Sequence, residues 1–533
     1  MKRVDNLKGP NTILIDPIKN KSQLTSDLLN YGFFKMVKNN PYASALNIRG
    51  KVFTYKQLYE LAGNWAGVIK RNCTIAPKRI GIFGYKSEIS YVGVLASLFC
   101  DATFVPLNPK FPINRTENMA NQLDLDILIV GKECIEEYRE LKHTVPVVFF
   151  PDLVVEKSEN ESTIILNKED VDKYDQHYCI QKTTNEIAYI LFTSGTTGKP
   201  KGIPISHTNV VNFLAYNQSN YNIDCSDKLT QTFDQTFDLS IFDLFMAWSH
   251  GACLYVMEPL QIISPIRFVK ENGITVWFSV PSVVSIMRKQ RILKANSFPS
   301  LRLTLFCGEP LTIDSAEAWQ EAAPNSIIEN LYGPTELTIA CSSYRWTGNK
   351  EHINNIVPIG KPYKHCPYIL LNELGEITES GTGELCITGP QKFPGYINSD
   401  ELTEEKTYVY NNDSFYKTGD LVTTLPNGNL AYLSRIDNQV KINGYRVECS
   451  EVEGFILENS NVISVAVIAV KTAKEGDILV AYIIGNEDEM GAIKHNLKEK
   501  VPSYMHPKEF IFVDELPLNV NGKIDRKALI ALH

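Results

Sequence analysis

Residues 187–202 constrain this chain most. A short apolar run, Ile187 to Phe192, leads without a break into Thr193-Ser-Gly-Thr-Thr-Gly-Lys-Pro-Lys-Gly202, a turn made of hydroxyls, glycines and two lysines. The run reads as a buried strand, and the turn at its end suits an anion. Glycines let backbone amides approach oxygens, hydroxyls donate, and Lys199 and Lys201 supply positive charge. It is not a Walker loop: Gly195 and Gly198 stand too close together, and Pro200 takes the place of a Mg-binding hydroxyl. The plainer reading is a solvated surface loop.

A chain of 533 residues is too long for one core and predicts two or more packed units. At 44% hydrophobic and 21% charged, it has the composition of a soluble globular enzyme. Its net charge of -8 leaves no basic surplus for a nucleic-acid partner. Eleven cysteines, with no CxxC pair, read as reduced thiols rather than a metal cluster. No apolar run nears the roughly 20 residues that span a bilayer, and Met1 to Asn20 lacks the apolar core of a signal peptide. The expectation is a soluble cytoplasmic protein with no membrane partner.

Along the chain, helical spacing predicts helices over Leu28 to Val37 and from about Phe53 to Arg71, the latter burying Leu58, Leu61, Ala62, Trp65, Val68 and Ile69. Strand, helix, strand alternation from Arg79 to Phe150 predicts a parallel sheet flanked by helices. Residues 155–182 read as a surface excursion. His207, opening the next helix, is either a cap or surface residue or a neighbour of a nucleotide, the former reading weighing more. Asp238 sits between Phe237 and Leu239, where it is either a helix N-cap or a buried acid needing a cationic or donor partner.

Strands ending near Phe278 and Phe306 place their following turns where open α/β sheets bind ligands. Asn330-Leu-Tyr-Gly-Pro-Thr-Glu336 offers Tyr332 to stack on a base, Thr335 for phosphate and Glu336 for Mg²⁺. Gly- and Pro-rich residues 356–432 read as a small distorted barrel, with Asp420 at a turn suited to ribose hydroxyls. Asn443-Gly444 predicts a hairpin between Gln439 to Ile442 and Tyr445 to Val447, and Ser450 to Glu453 reads as a capping box. Two strands and a helix complete an α+β unit, and Asn521-Gly522 turns the chain at Lys523.

Taken in order, SGTTGKPKG, FDLS, LYGPTE, YKTGD, SRIDNQVKINGYRVE, PSYMHP and NGKIDR span nearly the whole chain. This collinear series resembles the adenylate-forming superfamily, and within it amino-acid adenylation enzymes more closely than acyl-CoA synthetases. The resemblance implies an α/β fold: a large N-terminal domain, residues 1–434, of layered α/β sheets plus the small barrel, and a mobile α+β C-terminal domain, residues 435–533, hinged at Asp437. ATP and Mg²⁺ are the implied cofactors. Thr193, Ser194, Gly195, Thr196, Thr197 and Gly198 match the phosphate loop. Asn330, Tyr332, Gly333 and Thr335 match the adenine and phosphate segment, Asp420 and Arg435 the ribose contacts, Glu336 the metal ligand and Lys523 the catalytic lysine. Asp238 matches the acceptor of a substrate ammonium. Ser434 and Asn443 depart from the family's usual Gly and Arg at the hinge.

The matched pocket positions Leu239, Phe242, Phe278, Leu305, Cys307, Leu331, Ile339 and Ala340, beside Gly308, are apolar and imply a small aliphatic substrate. Leucines with an aromatic at Phe278 resemble prolyl adenylating enzymes, while Trp277 and Phe306-Cys-Gly-Glu309 resemble D-alanine ligases of teichoic-acid modification. The reading favours L-proline over alanine. No carrier segment follows residue 533 and no condensation motif occurs, so the expected partner is a phosphopantetheine carrier protein loaded in trans. The competing readings are an acyl-CoA synthetase and a non-catalytic protein on the same fold.

Overall fold

The computed structural model describes residues 27–156, 163–174, 185–195, 200–348, 352–378, 381–472, 476–518 and 524–533. The strand-helix alternation resolves into two mainly parallel sheets. The first has seven strands, running from Ile164–Asn167 at one edge through Arg79–Phe83 and Thr103–Leu107 to Ile187–Thr193 and Lys201–Ser206. The last two are antiparallel, so the chain leaves this sheet and returns to it through the loop that begins at Ser194. The second sheet has nine strands, with Lys228–Gln231, Val276–Ser279, Leu303–Phe306 and Ile327–Tyr332 as its parallel centre.

These strands are apolar without alternation because both faces are covered; Ile127–Val130 and Val147–Phe150 are buried at every residue. Two helices explain the cover. Glu88–Phe99 is buried from Ile89 to Phe99, and Leu239–His250 from Leu239 to Trp248. A helix apolar on all sides must be surrounded, and one apolar cluster joins these helices to strands of both sheets. Helix Tyr55–Asn72 buries its predicted stripe except Leu61, which is half-buried, and Thr54 and Gln57 cap it reciprocally. The first helix is Tyr31–Asn39, slightly later than its apolar spacing suggested.

The segment read as a distorted barrel is a five-stranded antiparallel sheet around the long strand Asp413–Thr424, bent by register shifts near Glu384 and Leu421. Its final strand, Leu430–Arg435, is followed by a hairpin, Gln439–Ile442 with Tyr445–Glu448, that belongs to neither large sheet. Asn443 and Gly444 both take positive φ, as a two-residue hairpin turn demands. Beyond it, Val462–Thr472, Gly476–Gly485 and Glu509–Phe512 form a three-stranded sheet packed by helices Cys449–Leu457 and Arg526–Leu532. The expected capping box at Ser450 is absent: helix Cys449–Leu457 begins two residues earlier, with Glu448 at its N-cap, and Glu453 instead accepts from Val467 N–H at 2.7 Å and pairs with Arg526 at 2.6 Å. A nearby guanidinium outcompetes a serine amide for a carboxylate. Among the described residues, no helix is long and apolar enough to cross a membrane.

Candidate active site

Four chain segments leave the carboxyl ends of central strands and meet around one cavity. Thr193 and Ser194 end one sheet; Asp238, Cys307 with Gly308, and Tyr332 with Gly333 follow strands of the other. This is where open α/β sheets expose backbone amides and loop side chains to a ligand. A second cavity of about 370 Å³ adjoins it, sharing Gly308, Tyr332, Gly333, Asp420 and Arg435, and is also lined by Asn330 and Asp437.

Asp238 occupies the N-cap position of its helix, yet its side chain makes no cap hydrogen bond. It turns to the Thr335 hydroxyl instead. Burial pushes its carboxyl up to about 6, and the Thr335 contact holds it below what burial alone would impose. Thr193 Oγ1, Thr236 Oγ1 and Arg446 Nε, all on residues lining the same cavity, are buried without a hydrogen-bond partner among the described residues. Buried polar atoms left unpaired are costly, so this cavity is built for a polar ligand.

On the side of the second cavity, the Tyr332 hydroxyl donates to Asp420 Oδ2 at 2.5 Å. Arg435 donates to Asp420 Oδ1 at 2.9 Å and forks onto Asp437 at 2.8 and 2.6 Å. Asn330 lines this cavity but spends its amide on the Val357 and Pro358 carbonyls, holding a neighbouring turn. These groups couple the expected hinge residue directly to the expected ribose contacts.

Glu336 is fully buried and its carboxylate is already engaged: Arg446 donates to both oxygens at 2.9 and 2.8 Å, and Tyr396 OH to one at 2.6 Å. Burial alone would raise this carboxyl; the Arg446 charge and the Tyr396 hydroxyl more than offset it and leave it below the usual value. Arg446 is the residue that sequence reasoning missed, together with Lys441, Glu448 and Glu451. The hairpin pairs Lys441 directly opposite Arg446. Two cations facing each other on one side of a ribbon are unfavourable without anions to receive them, and that was the available signal. The anion for Arg446 is Glu336, and the carboxyl acting on Lys441 is Asp238. Around the same docking surface, Ser194 OH donates to the Arg446 carbonyl at 2.7 Å and Gly195 N–H to Glu451 at 3.1 Å. Lys201 pairs with Glu448 at 3.6 Å and Arg115 with Glu451 at 2.8 Å, both buried. The hairpin thereby fills the first cavity, leaving about 90 Å³.

Several expected site residues are placed otherwise. Leu239, Cys307, Gly308 and Ile339 line the first cavity, but Phe242, Phe278, Leu305 and Ala340 are wholly buried and line neither cavity. Leu331 faces the second cavity. The reason is aromatic packing: Phe242 and Phe278 meet edge to face at 5.2 Å, and Phe233 and Phe213 close around them at 5.1 and 6.0 Å. His207 accepts the Leu29 N–H at 3.1 Å, and burial lowers its imidazole to about 4; it is a structural residue at a helix start. Thr196, Thr197, Gly198 and Lys523 lie outside the described residues.

Two layered α/β sheets, a ligand cavity at their carboxyl edge and a separate α+β unit reaching into it define an adenylate-forming type of protein. Residues 33–397 match the AMP-binding enzyme family and residues 451–523 the AMP-binding enzyme C-terminal domain, and the chain belongs to that family. It is 31% identical over 510 residues to bacitracin synthase 1 of Bacillus licheniformis, covering 93% of this chain but 9% of that protein. To the D-alanine–D-alanyl carrier protein ligase of Bacillus cytotoxicus it is 28% identical over 508 residues, 93% of this chain and 98% of the ligase. The crystal structure of the Vibrio cholerae adenylation domain AlmE, in complex with glycyl-adenosine-5′-phosphate, superposes with a TM-score of 0.84 at 29% identity, over 96% of this chain and 99% of that one.

Proposed function

We propose that this protein activates a small apolar α-amino acid with ATP, as its aminoacyl adenylate, and passes it to the phosphopantetheine thiol of a separate carrier protein. The carrying observation is Asp238, a buried acid in the cavity that makes no ion pair among the described residues, with Lys441 acting on it only weakly and at longer range, next to unpaired hydroxyls. A substrate ammonium is the partner that repays burial of that carboxylate; a fatty or aryl acid would leave it uncompensated. In the first half-reaction the amino-acid carboxylate oxygen attacks the α-phosphorus of ATP and pyrophosphate leaves. Thr193 to Gly198 hold the phosphates, Asn330, Tyr332, Gly333, Thr335, Asp420 and Arg435 the nucleotide, and Lys523 the developing charge. In the second, a thiolate attacks the aminoacyl carbonyl, the bond to the phosphate oxygen breaks, and AMP departs.

Glu336 fits Mg²⁺. It is a buried carboxylate that a cation already neutralises here, and one carboxylate beside phosphates is how Mg²⁺ is usually held. The ion would screen phosphate charge. With Arg446 on Glu336 and the hairpin in the cavity, this arrangement supports the transfer half-reaction, whereas Lys523 serves the other after a turn about Asp437. The change of sheet between Arg435 and Gln439 supports domains of 1–434 and 435–533. Free thiols at all ten described cysteines support a reducing, cytoplasmic setting.

Leu239, Cys307 and Ile339 close the substrate cavity with the packed phenylalanines behind them, which favours glycine or alanine and places proline next. The ligands printed for AlmE and for the D-alanine ligase support the same size. ATP–pyrophosphate exchange across amino acids and their deaminated analogues tests the reading. Exchange with alanine or glycine and none with propionate or acetate is expected; the reverse would overturn it.

A further inference from the structure

A third cavity, of about 510 Å³, lies between the two units, with Asn108, Lys110 and Asp234 on one wall and Asn443, Asp477 and Lys508 on the other. Among the described residues it shares Phe111, Tyr445 and Tyr504, and no others, with the cavity that holds Asp238. The Tyr445 and Tyr504 rings stack at 4.0 Å between centroids and 6° between planes. Phe111 meets Tyr504 at 6.3 Å and Phe237 meets Tyr445 edge-on at 5.4 Å. Three aromatic rings therefore separate the interdomain cavity from the place where an adenylate carbonyl would sit.

One of them, Tyr445, is pinned by a carboxylate, and Tyr504 is held through its stack on Tyr445. Asp234 Oδ2 accepts from Tyr445 OH at 3.2 Å and from Asn108 Nδ2 at 3.1 Å, and the Tyr85 hydroxyl bonds to the same acid. Tyr445 rides on the hairpin beside Arg446, so the rings reach this position only when the hairpin is docked. Ring stacking is sequence-remote here: Tyr504 comes from the chain after helix Met490–Lys500, and Asp234 from the turn before Asp238.

We propose that Tyr445 and Tyr504, positioned by Asp234, form an aromatic door between the interdomain cavity and the adenylate cavity. Resting on the aminoacyl-transfer reading above, the door keeps water and small thiols from the activated carboxyl until a long thiol-bearing arm parts the rings. What it prevents is attack by water oxygen on the aminoacyl carbonyl, with loss of the bond to AMP and release of the attacker's proton to solvent. Asp234 is a positioning residue, acting through Tyr445.

The test uses the full chain, ATP and alanine or glycine, without carrier protein. Amino-acid-dependent pyrophosphate exchange is compared with net AMP release, in water and with N-acetylcysteamine as a short thiol. Asp234→Ala and Tyr445→Phe, which keep the ring but remove its anchor, are expected to exchange at the wild-type rate and release AMP about tenfold faster, the worth of one hydrogen bond to a charged group. Tyr445→Ala should leak more than either and respond more steeply to the thiol. Normal exchange with unchanged or reduced leak in all three would overturn the door. Should Tyr445→Ala fail to fold, the ring-preserving variants decide alone. Absence of exchange by the wild type with any amino acid would overturn the underlying reading and the door with it.

Discussion

Asp238 shows how one residue can be legible in kind and ambiguous in role. Its sequence neighbours allowed a helix cap or a buried acid, and local rules could not separate them because both require an Asp at a helix start. Tertiary context decides: the cap bond is not made and the carboxylate faces Thr335 across 97 positions of sequence. Its carboxyl, raised by burial to about 6, is charged above that pH and neutral below it. On the proposed function the free enzyme therefore loses its acceptor for the substrate ammonium as pH falls through about 6, and kcat/KM for the amino acid is expected to drop there. Asp238→Asn should remove that limb and lower kcat/KM by about ten- to a hundredfold at neutral pH, from the loss of a charge-assisted bond. Initial-rate profiles from pH 5 to 8 check both. The pocket positions were harder: Phe242 and Phe278 were recognisable as apolar, but only the packing of four phenylalanines shows that they back the cavity rather than line it.

At the scale of elements, the hairpin 439–448 was readable from Asn443-Gly444, since few sequences satisfy two consecutive positive φ angles. Its destination was not readable, because its partners Glu336, Ser194 and Lys201 lie more than a hundred residues away. Gly444 marks how closely it docks. A Cβ there would meet Val280 Cγ1 at 2.4 Å while φ is +83°, so Gly444→Ala must both strain the turn and push the hairpin off its surface. Aminoacyl transfer to a carrier is expected to fall at least about tenfold while pyrophosphate exchange survives, given a backbone penalty of about 1–2 kcal/mol. Equal losses in both assays would show that the hairpin serves folding rather than transfer.

The whole molecule is two bodies that meet over buried ion pairs. Arg115 and Glu451 are 5% and 0% exposed, and Lys201 and Glu448 are 10% and 8% exposed. Pairs so deeply placed are strong when intact and costly when one partner is lost, a chemistry suited to an interface that is either fully made or fully parted. The strand-helix rhythm foretold the layered sheets well, because parallel strands covered on both faces must be apolar throughout. It could not foretell the interface, where charged side chains are buried and hydrophobic patterning is silent. The hairpin leaves about 90 Å³ beside Asp238, so on the proposed function the smaller body is expected to withdraw for ATP activation. Cysteines at 115 and 451, bridged by a short bismaleimide, should abolish pyrophosphate exchange, and reversal of a cleavable linker should restore it; exchange by the bridged protein would refute an obligatory movement.

The most direct measurement is a crystal structure with an alanyl or glycyl sulfamoyl adenosine, a stable mimic of the adenylate. The ammonium nitrogen is expected about 3 Å from the Asp238 carboxylate, with the ribose on Asp420 and the base beside Tyr332. An analogue bound elsewhere, or bound with its ammonium turned away from Asp238, would contradict amino-acid activation at this site.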